Sequence, residues 1–267
     1  MTILVTGATG NTGRHVVDHL LKRGARVRAL TRDPAKAKLP EGAEVVAGNH
    51  NEPATLGSVF DGVTAVHITV TSGVAESGPE FVKKALAAGV ERFTILWGGY
   101  VGPAEQAVAE SGVTWTRLEP QEFMANALDW REDIRAEGVV RAPFPDVRGA
   151  VVHEGDIGEV AAVALTEEGH HEKAYTINGD EALTAPERVS ILSKALGREL
   201  RYVETSHEQA VQKLLDQGVS QADADYVVGW HADPPPEAYT PDGTLQRVLG
   251  RPPRTFAQWA EENAHRF

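Results

Sequence analysis

The sequence predicts an α/β protein, a doubly wound parallel sheet with a smaller, mostly helical C-terminal lobe. Three observations carry that expectation. A short apolar run at residues 2–5 leads directly into Gly7-Ala8-Thr9-Gly10-Asn11-Thr12-Gly13, and a helical stripe of Val16, Val17, Leu20 and Leu21 follows. Short apolar runs then alternate with helical segments through residue 118, the rhythm of βαβ units. Beyond about residue 130 that rhythm gives way to short helices with few strands.

The first unit is strand, glycine turn, helix, strand. The helix ends at Gly24, and a second apolar strand at residues 27–30 leads to Thr31-Arg32-Asp33. In such a turn the first glycine, Gly7, permits a sharp exit from the strand. Gly10 lets a ligand approach the backbone, and Gly13 lets the helix pack close to the sheet. The helix start directs unpaired N–H groups at that gap, which suits a pyrophosphate. The spacing is Gly-x-x-Gly-x-x-Gly, and its position between a strand and a helix makes it a dinucleotide signal. At the end of the second strand an acidic residue selects NAD, whereas an arginine accommodates the 2′-phosphate of NADP. Arg32 stands there, with Lys36 and Lys38 behind it and Asp33 one position late. NADPH is therefore the expected cofactor, with NADH possible; an ordinary solvated loop is the competing account of the three cations.

Composition sets the outer limits. The 267 residues, 42% hydrophobic, suffice for one large α/β domain with an appendage. A net charge of −12 and the lack of any Lys/Arg run disfavour a nucleic-acid partner. No cysteine is present, which removes disulfides, thiolate metal sites and a cysteine nucleophile. The ten histidines lack zinc-site spacing, so no metal is expected. With the first strand beginning at residue 2 and no bilayer-length apolar run, the expectation is a cytoplasmic protein without a membrane partner. It would act on a small molecule, as a monomer or homodimer.

The chain in order supports a sheet. Residues 44–47 are a third strand, closed by Gly48-Asn49-His50-Asn51, and residues 53–60 a short helix. Residues 65–70 are a fourth, largely apolar strand, as buried parallel strands are. It ends in Thr69-Val70-Thr71-Ser72-Gly73. A helix at 79–88, a strand at 92–97, the loop Gly98-Gly99-Tyr100-Val101-Gly102, a helix at 104–111 and a strand at 114–118 follow. Ligands on such sheets bind at the carboxyl edges of the strands. The informative loops are therefore 7–13, 31–38, 48–51, 69–73, 97–102 and 119–126.

The C-terminal part reads as a charged helix at 130–138, a helix at 156–165, and a strand at 175–178. A helix from Thr184 to Leu196 is opened by the capping box Thr184-Ala185-Pro186-Glu187. Then come a strand at 200–203, a helix opened by Ser206 and Gln209, the break Pro234-Pro235-Pro236, and a last helix capped at Thr255. The expected division is a nucleotide-binding domain at 1–150 and a smaller substrate lobe at 151–267. The two would interleave as one compact unit, the lobe forming the other wall of a cleft.

The residues carry a family resemblance over nearly the whole chain. The turn Gly7 to Gly13 and Thr31-Arg32-Asp33 resemble the atypical, extended-type short-chain dehydrogenase/reductases of the NmrA-like group. Glu119-Pro120-Gln121-Glu122-Phe123-Met124-Ala125-Asn126 is similar to that group's Arg-Pro-x-x-Phe-Met-x-Asn, and Asp156-Ile157-Gly158-Glu159-Val160-Ala161 to its Asp-Ile-Ala-x-Val-Ala. The segment from Thr184 to Gly197, and Gly250-Arg251-Pro252-Pro253 through Phe256, resemble its ergot-alkaloid-type imine reductases; quinone and azo reductases are similar too. The resemblance implies a Rossmann fold binding NAD(P). Gly7, Ala8, Thr9, Gly10, Asn11, Thr12 and Gly13 would hold the pyrophosphate, and Arg32 with Lys36 the 2′-phosphate. Asn49 would sit near the adenine, replacing the more usual aspartate. Thr69, Val70 and Thr71 would line the nicotinamide ribose, with Pro120 and Phe123 flanking the nicotinamide.

One departure bears on the chemistry. Short-chain reductases usually work with a Tyr-x-x-x-Lys pair. Tyr100 stands on the right loop, but Ala104 occupies the lysine position, and Trp97-Gly98 replaces the usual serine. That subtracts from ketone or alcohol chemistry but leaves hydride transfer to an acceptor needing little acid help, such as an iminium, a quinone or a flavin-like ring. Tyr100 and His153 are the expected proton donors, while Asp156 reads more simply as a helix N-cap. Trp97, Tyr100, Phe123 and Trp130 are expected to face a flat substrate, and Met124 to be core. The expected function is an NADPH-dependent reductase of a small aromatic or polycyclic acceptor (C=N, quinone or C=O). The alternative is a non-catalytic sensor of NADP(H).

Overall fold

A computed structural model describes residues 1–71 and 73–267. In chain order its strands are β1 (Thr2–Val5), β2 (Arg26–Thr31), β3 (Glu44–Ala47), β4 (Val63–Thr69), β5 (Arg92–Leu96), β6 (Thr114–Pro120), β7 (Val139–Ala142), β8 (Arg148–Gly149), β9 (Lys173–Ile177), β10 (Leu183–Thr184) and β11 (Arg201–Glu204). Its helices are α1 (Gly13–Lys22), α2 (Val74–Ala87), α3 (Pro103–Ala109), α4 (Arg131–Glu137), α5 (Glu154–Thr166), α6 (Ala185–Leu196), α7 (His207–Asp216), α8 (Gln221–Ala232), α9 (Pro236–Tyr239), α10 (Thr244–Leu249) and α11 (Phe256–Asn263).

Two compact units divide the chain. The first comprises Met1–Pro120, Glu154–Ile177 and Thr244–Arg251; the second comprises Gln121–His153, Asn178–Gly243 and Pro252–Phe267. Residue 150, the boundary expected from sequence, thus lies inside the second unit, and both units are discontinuous.

The first unit is built on a seven-stranded sheet in the order β3-β2-β1-β4-β5-β6-β9, every pairing parallel. The winding reverses between β1 and β4, and the carboxyl ends of that pair are where open α/β sheets bind ligands. This is the Rossmann-like α/β fold. Apolar strands bury both faces of the sheet: Ile3, Leu4, Val66, Ile68, Phe93 and Ile95 are all buried. Val16, Val17 and Leu20 turn one face of α1 inward. Helix α5 lies so close to α1 that a Cβ on Gly158 would sit 2.6 Å from His15 Cβ.

Three expected elements change. Residues 53–60 form only a 3₁₀ turn, Pro53–Thr55, although Leu56, Val59 and Phe60 are still buried. Helix α2 starts at Val74, behind Gly73 at φ +92°, so Pro79 lies inside it rather than opening it. A proline ordinarily marks a first turn. Here the close approach of α2 to α3 takes precedence, since a Cβ on Gly78 would lie 2.4 Å from Ala104 Cβ. The strand expected in the C-terminal lobe is β9, and it joins the main sheet beside β6 with Thr116 opposite Lys173.

The second unit holds two small sheets, parallel β7/β11 and antiparallel β8/β10. Its core gathers Met124, Ile134, Leu192, Phe256 and Trp259, the last two rings stacked at 5.5 Å. Met124 is core, as expected. The capping boxes at Thr184/Glu187, Ser206/Gln209 and Thr255/Gln258 all form. Among the described residues no helix is long and apolar enough to cross a membrane.

Candidate functional site

In the first unit the glycine turn follows β1 at the reversal point. Gly7 has φ +59°, and a Cβ on it would lie 2.9 Å from the Thr69 side chain. A Cβ on Gly13 would come within 2.1 Å of the Gly7 carbonyl oxygen, so only glycine fits. Gly10 N donates to Gly7 O at 2.9 Å. Ala8 is buried beneath the turn, whereas Thr9, Gly10 and Asn11 are exposed on it. Thr12 occupies the cap position of α1 without a side-chain hydrogen bond, and no acidic residue stands in the first turn. Among the described residues no acid in that first turn opposes an anion, which fits a pyrophosphate.

Sequence reasoning stopped at Gly13 and missed Arg14. Its Nε donates to Gly10 O and its Nη2 to Thr9 O, both at 3.1 Å. The side chain braces the turn and sets a positive charge beside it. Its place immediately after the third glycine was the available signal.

At the end of β2, Arg32 is exposed, and no carboxylate among the described residues pairs with it. Lys36 is held by Asp33 at 3.0 Å, so the late aspartate neutralises the lysine and leaves Arg32 unopposed. His50 sits close by, its Nε2 3.2 Å from Thr71 Oγ1 and its ring edge-on to Phe81. Burial, and secondly the Arg32 charge, hold the His50 imidazole below its ordinary range. Asn49 spends its side chain within its own loop: Nδ2 donates to Glu52 at 2.7 Å and Oδ1 accepts from Asn51 N.

The fourth strand delivers Thr69 against the turn. Thr69 N donates to Thr6 Oγ1 at 2.9 Å, and Thr69 Oγ1 donates to Thr6 O at 3.2 Å. Val70 packs under Gly98, where a Cβ would lie 2.8 Å from Val70 Cγ1. Thr71 meets His50, and Ser72 of the same expected loop lies outside the described residues. Trp97 is half-buried. Tyr100 is 63% exposed on the loop after β5. Ala104, four residues on, is 1% exposed and faces Gly78. Pro120 closes β6 opposite Ile177.

Phe123, Trp130 and His153 belong to the second unit. Phe123 is half-buried and bridges to Val152. His153 is buried, with Nε2 3.1 Å from Glu262, a contact that ties it to α11. Asp156, in the first unit, is not an N-cap. Helix α5 begins two residues earlier, at Glu154. Asp156 is 0% exposed and accepts from Arg251 Nη2 at 2.6 Å, and Arg251 also binds Glu159. That partner is 95 residues away, invisible to a local reading.

Trp130 lines a cavity of about 650 Å³ whose walls come wholly from the second unit and include Phe144, Val228 and Trp230. That volume is ordinary for a small-molecule pocket. At the wall, Arg188 Nη1 donates to Glu122 Oε1 at 2.7 Å, both side chains nearly buried. Sequence reasoning missed this pair. Each partner sits in an unremarkable local pattern, and 66 residues separate them.

Fold and turn together define a dinucleotide-binding protein. A model of the NmrA-like family matches residues 1–111. The chain is 35% identical over 279 residues to a (4-alkanoyl-5-oxo-2,5-dihydrofuran-3-yl)methyl phosphate reductase of Streptomyces griseus, covering 99% of each. It is 34% identical over 283 residues to an NAD(P)H azoreductase of Xenophilus azovorans, again over 99% of both. Among solved structures it is similar to the Citrobacter sp. triphenylmethane reductase complexed with NADP(H), with a TM-score of 0.79 and 25% identity over 98% of this chain and 99% of that one. The chain belongs to the NmrA-like family.

Proposed function

We propose that this chain is an NADPH-dependent reductase delivering hydride to a flat aromatic or polycyclic acceptor, a quinone, C=N or C=O group, without a Tyr-x-x-x-Lys pair. The observation that carries the reading is the unopposed Arg32 after β2, the strand next to β1, whose glycine turn has no room for a side chain at Gly7 or Gly13. NADP(H) is the cofactor, and when bound it supplies the hydride. The backbone N–H groups of residues 7–13 hold the pyrophosphate, and Arg32 takes the 2′-phosphate as a charge-assisted partner. Thr69, Val70 and Thr71 would line the ribose, and Pro120 would stand beside the nicotinamide. Asn49 would serve the adenine side through its backbone, since its side chain is engaged.

Each hydride transfer to a neutral acceptor also consumes a proton. Tyr100 is the donor we assign, its side chain exposed on a carboxyl-edge loop. The burial of Ala104 against Gly78 supports a site that works without a lysine at that position. An acceptor that is already cationic needs no such help. His153 is assigned to holding α11 through Glu262. The names of the similar reductases, which act on an azo group and a furanone, favour conjugated acceptors.

The test is titration of the purified protein with NADPH and NADH, then a screen of NADPH oxidation against quinones, cyclic imines, azo dyes and aromatic ketones. Preference for NADPH with turnover of one acceptor class is expected. Tight binding without any turnover would favour the nucleotide sensor, for which the missing lysine is the supporting observation. No binding of either nucleotide would overturn both.

A further inference from the structure

We infer that the α7–α8 hairpin is a lid over the second unit's cavity and that Phe144 is its latch. The inference goes beyond the reductase reading and holds whatever chemistry the cavity's occupant undergoes.

The hairpin is weakly tied to the rest of its unit. Of the ten residues of α7 only Val211 is buried, and of the twelve of α8 only Ala224 and Val228. These three make a small core of their own. The larger core of the unit, around Met124, Leu192 and Trp259, takes no residue from either helix. The polar side chains are also satisfied locally: Gln212 donates to Asp216, Gln221 to Asp225, and His231 meets the Val227 carbonyl. Among the described residues no side-chain hydrogen bond or ion pair of residues 207–232 reaches past the cap at Ser206. A segment with few buried apolar contacts and self-contained polar ones opens ahead of global unfolding.

One side chain from outside joins the hairpin's core. Every member of that cluster but one lies between residues 210 and 228, and the exception is Phe144, in the loop from β7 to β8. Its ring meets His207 of α7 edge-on, with centroids 6.1 Å apart. Phe144 stands between Pro143 and Pro145 and has φ +56°. Left-handed backbone is rare for a bulky residue and persists where the surroundings over-determine it. The ring's seat in the hairpin core is the packing that holds it. The hairpin's base is fixed beside this loop. Thr205 N donates to Ala142 O at 3.2 Å, and Tyr202 Oη donates to the same oxygen at 2.5 Å. A swing of the hairpin therefore pivots just beyond residue 205, next to the latch.

The cavity lies between the part that moves and the part that stays. Leu214, Val228 and Trp230 line it from the hairpin, and Ala127, Trp130 and Arg188 line it from the body of the unit. Releasing Phe144 from the hairpin core frees one wall of that space.

Hydrogen exchange followed by mass spectrometry on the full chain tests the lid. Wild type, Phe144→Gly and Phe144→Leu are compared. Glycine removes the ring and takes the left-handed backbone without steric cost, whereas leucine keeps part of the apolar bulk on the same backbone. In wild type, the α7 and α8 amides should exchange together with roughly tenfold less protection than those of α6 and α11. In Phe144→Gly the hairpin's protection should fall roughly tenfold further, the lower end of what burying a phenylalanine ring is worth. Phe144→Leu should fall between, and α6 and α11 should stay within about twofold, which verifies folding. A second measurement reads the cavity itself. The chain has no cysteine, so Ala127→Cys sets a single thiol on the body wall, at a residue 2% exposed. Its labelling by 5,5′-dithiobis(2-nitrobenzoate) should quicken roughly tenfold when Phe144→Gly is added, in step with the hairpin's protection. If glycine at 144 prevents folding, Phe144→Leu carries both readouts. Hairpin amides that exchange only together with α6 and α11, equal loosening of the whole unit, or unchanged hairpin protection in both variants would overturn the inference. So would a thiol rate at 127 that ignores the change at 144. Neither readout uses nucleotide or acceptor, so the lid and the reductase reading stand or fall separately.

Discussion

Replacing Arg32 by alanine removes a cation that no carboxylate among the described residues holds, at the end of the strand where NADP and NAD are told apart. A charge-assisted hydrogen bond to the 2′-phosphate is worth about 1.5–3 kcal/mol. Arg32 is exposed, so solvent and salt take the figure to the lower end. About 1.5 kcal/mol corresponds to roughly tenfold weaker NADPH binding. NADH has no 2′-phosphate and should bind as before. Titration by nucleotide fluorescence at low and at physiological salt is the assay, and the NADPH loss should grow as salt falls. The same variant has an independent readout. The His50 imidazole is lowered by burial first and by Arg32 second, so its pKa should rise in Arg32→Ala while staying below 6.5. Lys36→Ala should cost NADPH affinity less, because Asp33 already holds that lysine. Equal weakening of NADPH and NADH, or no weakening at all, would refute the reasoning.

Three further outcomes follow from the geometry. Gly13→Ala drives a methyl into the Gly7 carbonyl, and should cost about 1–3 kcal/mol in urea unfolding as an overpacked contact, together with NADPH binding. A variant that binds like wild type would mean the turn is drawn wrongly. Arg251→Met removes the cation that the wholly buried Asp156 binds at 2.6 Å. Breaking such a pair costs about 3–5 kcal/mol, with the lower figure expected for a partly exposed arginine, and adding Asp156→Asn should restore much of it in the same unfolding assay. His67 is buried, and burial pushes its pKa down to about 3. The unfolded chain, at about 6.5, therefore takes up that proton first. The stability from His67 is complete above pH 6.5 and should fall by about 1.4 kcal/mol per unit as pH drops toward 3. His67→Gln should lose this component of the slope of unfolding free energy against pH, and an unchanged slope would show that His67 is protonated in the fold.

Much of the architecture was legible because its signals are local. The glycine turn is written in seven consecutive residues, and it needs those glycines for contacts made within the turn or with β4. The capping boxes at Thr184, Ser206 and Thr255 close over four residues each, between a side chain and a backbone N–H three positions on. The succession of apolar strands announced a parallel sheet because strands buried on both faces must be apolar throughout. The unopposed Arg32 could be located from its place after β2, although its lack of a partner could not.

What lay beyond the sequence depends on where distant segments meet. Pro79 reads as a helix start, yet α2 begins earlier, because contact between Gly78 and Ala104 decides how that helix lies. Residues 173–177 read as part of a separate lobe, but their backbone completes the ladder beside β6. Asp156 has every local mark of a cap, and only the folded chain brings Arg251 to it. The Glu122–Arg188 pair, with Gly149 making room for it, has no sequence signature at all. Sequence by itself determined the backbone conformations that neighbouring residues impose on one another, and with them the nucleotide turn. The tertiary structure decided which buried charges are satisfied and where the cavity opens, because desolvation and shape are properties of segments brought together from across the chain.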